Sequence, residues 1–305
     1  MVIATAPPAP SPVTRPADEY PRPARDVLEA QIALARLAIS PGVVDGVMGP
    51  QTRAALLAFQ RKFGLPETLE LDAQTRSRLL LHKPPLTFYT ITSNDVARLQ
   101  PVSPTWLGKS LQTALEYESV LELVAEKGRA SPNLIRRLNP QVDWNAVAPG
   151  LQVLMPDIVE PQPVARAAFL VISLGEKTLR AFDANTNLLA HFPCSIAARV
   201  EKRPAGLLRV TAIAPNPNYT FDPAVFPESA EARALTTRLI LPPGPNNPVG
   251  TAWISLDRPG YGIHGTPHPE QVGRTESHGC FRLANWNAEF LLKLVWIGMP
   301  VYVEP

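Results

Sequence analysis

The hydrophobic and polar positions fall into three patterns along the chain. From residue 26 the spacing is helical. Leu28, Ile32, Ala35 and Ile39 form one apolar stripe, preceded by Asp26 and Glu29 in a capping-box arrangement and stopped by Ser40-Pro41-Gly42. Asp45 to Pro50 reads as a tight loop, with Pro50 in the first turn of a second helix carrying Ala55, Phe59 and Phe63 on one face. Gly64 suits a left-handed C-terminal position and Pro66 blocks continuation. A third helix fits Ala73–Leu81, which makes 26–82 a three-helix unit. Residues 87–156 open on an alternating strand around Thr87–Ile91 and close on another at Leu151–Pro156. Two helices fit between, the second capped by Ser131 with Pro132 following. From Ala168 the period becomes two: strands fit Phe169–Ser173, Thr178–Phe182, Leu188–Ser195, Gly206–Ala214, Ala252–Leu256 and Pro300–Val303. A single helix fits Trp286–Val295, with Asn285 as its cap. Residues 165–305 are thus expected to be a mainly β domain.

Composition adds punctuation. Proline makes up 35 of 305 residues, about twice its usual share. Seven prolines crowd residues 1–23, so 1–25 reads as a disordered or polyproline tether, and Pro161-Gln162-Pro163 as a linker. Eight more between Ala214 and Gly250 suit a long ordered loop of the kind that walls a site. A net charge of +2 gives no basic face for nucleic acid, and no apolar run is long enough to span a membrane. Two cysteines in unlike surroundings make no disulfide framework. The first residues lack the basic start and unbroken apolar stretch of a signal peptide.

The candidate chemistry is concentrated. Between His264 and Cys280 lie three of the five histidines and one of the two cysteines, in Ile263-His264-Gly265-Thr266 and Ser277-His278-Gly279-Cys280-Phe281-Arg282. A histidine near a cysteine favours the thiolate and then shuttles protons. Backbone N–H groups at Gly279 and Cys280 suit an oxyanion site. Spacing alone leaves the base open between His264 and His278. The same residues, with His268, also supply zinc-type ligands, although glycines and prolines disfavour the helix that a His-x₃-His pair needs. Cys194, His191, His82, Trp253, Tyr219 and Phe221 read as packed or exposed structural residues.

The motif resembles the signature of the YkuD-type L,D-transpeptidases, and the likeness extends to Arg203-Pro204-Ala205-Gly206, to Pro215–Pro223 and to Pro242–Trp253. Asp45-Gly46-Val47-Met48-Gly49-Pro50-Gln51-Thr52-Arg53, Ala58-Phe59-Gln60 and Phe63-Gly64-Leu65 resemble the small peptidoglycan-binding domain. Tyr89-Thr90-Ile91, Leu134–Pro140 and Pro149–Pro156 resemble a LysM module. The usual Gly-Asp-Thr is absent after its first strand, and extra residues intervene around Pro101–Thr113.

These resemblances imply a multidomain chain. A three-helix domain and a βααβ LysM-like module would precede a mainly β YkuD-type catalytic domain. They imply Cys280 as nucleophile and His264 as base held by the Gly265 carbonyl, with His278 and Gly279 shaping the loop. Arg282, with Ser277, Tyr219 and Trp253, would lie on the substrate side. Cys280 would take the acyl group of a peptidoglycan stem, releasing D-Ala, and pass it to the amine of a second stem as a 3→3 crosslink. Water or a protein lysine as acceptor remains open. No cofactor or metal is implied. Peptidoglycan stems and glycan strands are the implied partners, carbapenem-type compounds the inhibitors, and the extracytoplasmic space the location, with any signal segment outside this sequence. If the front modules bind glycan, they read as anchors whose removal would spare activity on a soluble tetrapeptide. The missing Gly-Asp-Thr of the second also admits a packing role, in which the front modules support or wall the active site.

Overall fold

The structure is a computed structural model and describes residues 19–159, 161–163, 165–226, 229–274 and 279–305. Helix α1, Val27–Ala35, begins at Asp26, whose carboxylate accepts the Glu29 N–H at 2.8 Å. Glu29 does not close the capping box on Asp26. It turns back to the Arg25 N–H and to Arg22. Residues 22–25, expected in the tether, are folded: β1, Arg22–Pro23, pairs with β2, Leu80–Leu81, and Ala24 is fully buried. Residues 1–18 of the expected tether lie outside the described residues. Helix α2, Pro50–Lys62, ends with the Leu65 N–H on the Gln60 carbonyl and Gly64 at φ +61°. Helix α3, Ala73–Arg78, stops earlier than its pattern suggests because Leu80 and Leu81 are drawn into β2.

The middle segment is a β3 (Leu86–Thr90) and β4 (Gln152–Pro156) antiparallel pair. Four helices lie between them where two were expected: α4 (Ser93–Ala97), α5 (Trp106–Ser110), α6 (Val120–Lys127) and α7 (Pro132–Leu138). Helices α6 and α7 are the expected pair, and Ser131 caps α7 through the Leu134 N–H at 3.0 Å. The additional α4 and α5 are each five residues long. Such pieces hardly show a helical period, which is why the pattern missed them. The two front segments are not separate beads. Phe59 of α2, Leu123 and Val124 of α6, and Val153 of β4 belong to one buried apolar cluster.

The last segment is built on an eight-stranded mixed sheet. Its strands are β5 (Phe169–Ser173), β6 (Thr178–Phe182), β7 (Leu188–Pro193), β8 (Gly206–Pro215), β11 (Ala252–Leu256), β12 (Gly262–His264), β13 (Phe281–Arg282) and β14 (Pro300–Glu304). Between β8 and β11 a separate hairpin forms from β9 (Tyr219–Phe221) and β10 (Leu239–Leu241), with α8 (Ala230–Ala234) in its connection. The sheet order is β13-β12-β11-β8-β14-β5-β6-β7. Helix α9, Asn285–Leu292, covers it, burying Ala288 and Leu291 in the same core as Leu170, Ile254, Ile263 and Val301. Asn285 is the first helical residue and not the cap. Its amide is used elsewhere, as described below.

The β7 edge docks on the front domain. Ser40 N–H donates to the His191 carbonyl at 2.8 Å, and His191 N–H donates to the Ala38 carbonyl at 2.9 Å. The His191 ring is 3% exposed and both of its nitrogens are buried without a hydrogen-bond partner. Burial, reinforced by Arg180 and Arg61, pushes its pKa down to about 3. A depressed histidine favours the fold above its unfolded pKa, and this contribution is lost as pH falls through the folded value. His191→Phe is expected to remove the acid sensitivity between about pH 6.5 and 3, and to raise the melting temperature at pH 7 by about 2 °C because two orphaned nitrogens disappear. Thermal melts from pH 3 to 7 measure both effects, and a lower melting temperature at pH 7 would contradict the reading.

Candidate active site

His264 ends β12, between β11 on one side and β13 on the other, in register with Trp253 and Arg282. It is 5% exposed. Its Nδ1 lies 2.6 Å from the Gly265 carbonyl oxygen. A carbonyl can only accept, so Nδ1 carries the proton and Nε2 is left with a free lone pair. Burial outweighs that hydrogen bond and, with Arg282 nearby, pushes the imidazole pKa down to about 4. At neutral pH the ring is therefore an uncharged base of fixed tautomer.

The backbone behind this ring is built by close approach. A Cβ on Gly250, at φ +62°, would lie 2.0 Å from the Asn285 Oδ1, and one on Gly265 would lie 2.3 Å from the same atom. The Asn285 amide fills that space, accepting from the Thr251 N–H at 3.3 Å and donating to the Pro245 carbonyl at 3.1 Å. It thus ties α9 to the strand ends that present His264. The Trp253 indole stacks on the His264 ring at 5.6 Å and 24°, and donates to Ser255 Oγ at 2.7 Å. Gly262 leaves room for it, since a Cβ there would lie 2.6 Å from the indole.

Cys280 immediately precedes β13 and is partly buried. Its Sγ lies 3.5 Å from the Gly260 carbonyl. Burial raises the thiol pKa, while the Gly262 N–H and the Arg282 guanidinium act in the other direction. The resting thiol is therefore protonated at neutral pH, and a thiol in this state needs a base before it can serve as a nucleophile. Arg282 is half-buried, and burial lowers its pKa against the pull of Cys280 and Tyr219. Among the described residues no carboxylate lies within ion-pair distance of it. A guanidinium in that position suits a substrate carboxylate. Tyr219, on the separate hairpin, closes the group: burial and then Cys280 push its hydroxyl up to about 12, opposed by Arg282.

The structure therefore gathers Cys280, His264, Gly265, Gly279, Arg282, Tyr219 and Trp253 at the β12–β13 end of the sheet. Ser277 and His278 lie outside the described residues. His268 stands apart, exposed, with Nδ1 3.9 Å from Glu270. His264 is on a strand and His268 precedes a 3-10 turn, so the two do not share a helical turn. Cys194 is fully buried in the sheet core, where burial pushes its thiol up, and it plays no part at the site. Sequence reasoning did not find Asn285 as the strut behind His264. An asparagine before a helix reads first as a cap, and nothing local reveals a partner 34 positions away. The hairpin strands β9 and β10 and the short β12 and β13 were missed because two or three residues cannot display a period.

The arrangement is a mixed sheet in which a cysteine just before β13 and a buried neutral histidine at the end of β12 lie on adjacent parallel strands, a frame that suits acyl transfer through sulfur. Residues 167–303 match the L,D-transpeptidase catalytic domain YkuD, and residues 23–79 match a peptidoglycan binding domain. A Bacillus licheniformis relative bearing the name L,D-transpeptidase YkuD is 25% identical over 185 residues, 61% of this chain and 93% of that protein. An L,D-transpeptidase relative from the ATP synthase subunits region of Fuscovulum blasticum is 30% identical over 134 residues, 44% of this chain and 68% of its own. Among solved structures, L,D-transpeptidase 3 from Mycobacterium tuberculosis in complex with a faropenem-derived adduct is 18% identical. That match covers 52% of this chain and 76% of that one, with a TM-score of 0.36. The chain belongs to the YkuD family of L,D-transpeptidases and carries a peptidoglycan-binding domain in front of the catalytic one.

Proposed function

We propose that this chain forms 3→3 crosslinks between peptidoglycan stem peptides through a thioester on Cys280. The observation that carries the reading is the fixed tautomer of His264, whose Nδ1–H is spent on the Gly265 carbonyl, leaving Nε2 as the base. His264 takes the Cys280 proton, and the thiolate attacks the carbonyl between the third stem residue and the terminal D-Ala. The C–N bond breaks, the proton passes to the departing D-Ala amine, and the acyl group stays on sulfur. N–H groups around Gly279 and Cys280 hold the oxyanion. Arg282 takes a stem carboxylate, with Tyr219 and Trp253 walling the cleft. His278 is assigned to the catalytic motif and Ser277 to the substrate side on the likeness of the Ser277–Arg282 motif alone. The side-chain amine of a second stem then attacks the thioester carbonyl, the C–S bond breaks, and His264 carries the amine proton to the departing sulfur, restoring the Cys280 thiol.

The domain limits in this reading are 26–82, 87–156 and 165–305. The middle one is a LysM-like module, supported by the β3–β4 pair enclosing α6 and α7. The reaction is placed outside the cytoplasm, where the mature stem is found. Among the described residues no helix is long and apolar enough to cross a membrane. Carbapenem-type compounds are expected to acylate the same sulfur. Incubation with a purified disaccharide-tetrapeptide, followed by separation of the muropeptides, tests the activity. A crosslinked dimer with one D-Ala released per bond is expected. Accumulation of tripeptide without dimer would make the enzyme a hydrolase.

A further inference from the structure

The segment between α4 and α6 departs furthest from a simple βααβ module, and it packs on the catalytic domain. The Trp106 ring of α5 lies on Phe221 of β9 at 4.2 Å and 13°, with Phe226 at 6.0 Å and Tyr219 at 6.4 Å. Leu115 is fully buried in a small core shared with Phe221, Ala232 and Leu241. The backbones are joined as well. The Leu115 N–H donates to the Pro243 carbonyl at 2.9 Å, and the Asn246 N–H donates to the Leu115 carbonyl at 2.9 Å. The Asn246 amide donates to the Glu116 carbonyl at 2.9 Å and to Glu122 Oε1 at 2.7 Å. Gly244 sits at φ +142°, and a Cβ on it would lie 2.2 Å from the Leu115 carbonyl oxygen. That approach is open only to glycine.

What this segment holds is the β9–β10 hairpin, which is a separate two-stranded sheet and shares no ladder with the eight-stranded one. The hairpin follows directly on β8, whose Ala214 lies in one cross-strand row with Trp253, His264 and Arg282, and the Asn216 N–H just before it donates to the Thr251 carbonyl at 2.7 Å. Tyr219, two residues before Phe221, therefore leaves the sheet at the end that carries His264 and Arg282. Trp106 and Leu115 thus pack directly on the hairpin that carries Tyr219.

We propose that residues 98–118 of the middle module back a wall of the acyl-donor site, in which Trp106 and Leu115 hold the hairpin, and with it Tyr219, at the His264–Arg282 end of the sheet and so fix how the donor stem is presented to the Cys280 sulfur. This rests on the reading of Cys280 as the nucleophile. Trp106 is a positioning residue: it touches the hairpin and acts through Tyr219. The module's contribution is orientation of a carboxylate-bearing peptide, which depends on sub-ångström placement. The inserted residues around Pro101–Thr113 include Trp106, and Leu115 follows them directly, so the departure from the simple fold and the contacts to the hairpin occur together.

The test uses the full chain with Trp106→Ala and Trp106→Phe. Three quantities are read: D-Ala release from soluble disaccharide-tetrapeptide, the second-order rate of Cys280 alkylation by iodoacetamide, and the melting temperature. Trp106→Ala is expected to lower kcat/KM for D-Ala release by about ten- to a hundred-fold. Alkylation, which needs no oriented peptide, should stay within about two-fold, and Trp106→Phe should recover most of the loss because it can stack. If Trp106→Ala does not fold, Trp106→Leu, which fills space but cannot stack, replaces it in the same comparison. Unchanged D-Ala release would overturn the proposal. So would a parallel fall in alkylation and release, which marks general loosening, or a Phe variant no better than Ala. A wild-type chain whose Cys280 is alkylated but which releases no D-Ala would remove the transpeptidase reading itself, and the wall with it.

Discussion

Cys280→Ala abolishes D-Ala release and crosslink formation, with a loss of at least about 10³-fold expected when a covalent route is removed. The fold is expected to survive, because Cys280 is only partly buried and alanine keeps its β-carbon. The loss in stability should be below about 1 kcal/mol. His264→Ala falls nearly as far, by roughly 10²- to 10⁴-fold for a general base. His268→Ala, exposed beside Glu270, should stay within about two-fold of wild type by the same criterion. The pH profile separates base catalysis from a preformed thiolate–imidazolium pair. Burial lowers the His264 pKa to about 4 and raises that of Cys280. The base form of His264 is therefore present above about pH 4 and lost as pH falls through it. Iodoacetamide alkylation of Cys280 should keep rising with pH beyond neutrality. An alkylation rate already at its plateau at pH 6 would mean a resting thiolate and would sink the base mechanism, as would equal losses for His264→Ala and His268→Ala.

The sequence made the site's chemistry legible and hid its supports. His264 and Cys280 stand in a dense run of glycine and histidine that no core requires, so a candidate site could be read there before any strand was placed, while the choice of His264 over His278 as base came from the family resemblance. Long strands such as Phe169–Ser173 and Thr178–Phe182 carry several periods of alternation and were read to the residue. Phe169–Phe182 stacking at 5.3 Å across that pair shows the register the pattern implied. Asn285, Trp106 and Leu115 were not legible, because each acts through contacts with segments distant in sequence. Asn246 meets Glu122 across 124 positions, and Gln51 of the front domain donates to the Val272 carbonyl across 221. Such pairs follow from how domains dock, and docking has no period.

Docking favours the packing role over the anchoring one for the front segments. As independent anchors they could be removed with the chemistry at Cys280 intact, and a chain beginning at Pro163 would still release D-Ala from a soluble tetrapeptide. The contacts argue otherwise. Removing residues 1–162 strips Trp106 from Phe221 and Leu115 from its shared core, exposing the inner side of the hairpin that carries Tyr219. It leaves Asn246 without Glu116 and Glu122, and the β7 edge without Ile39 and Ser40. It also removes the Gln51 contact to Val272, in the loop that leads toward Cys280. Each newly exposed apolar side chain costs on the order of 1.5–3 kcal/mol relative to burial, and several are exposed at once. Against a total stability of about 5–15 kcal/mol, that sum is a large fraction. The truncated chain is therefore expected to lose soluble activity by about 10²-fold or more, from both lost folded population and a misplaced hairpin. The measurement is D-Ala release from the soluble tetrapeptide by the full chain and by the chain from Pro163, each normalised to the fraction of Cys280 that iodoacetamide labels in the folded state. Equal specific rates would mean that the front segments only anchor the enzyme to glycan, and that the contacts across the hairpin carry no catalytic weight.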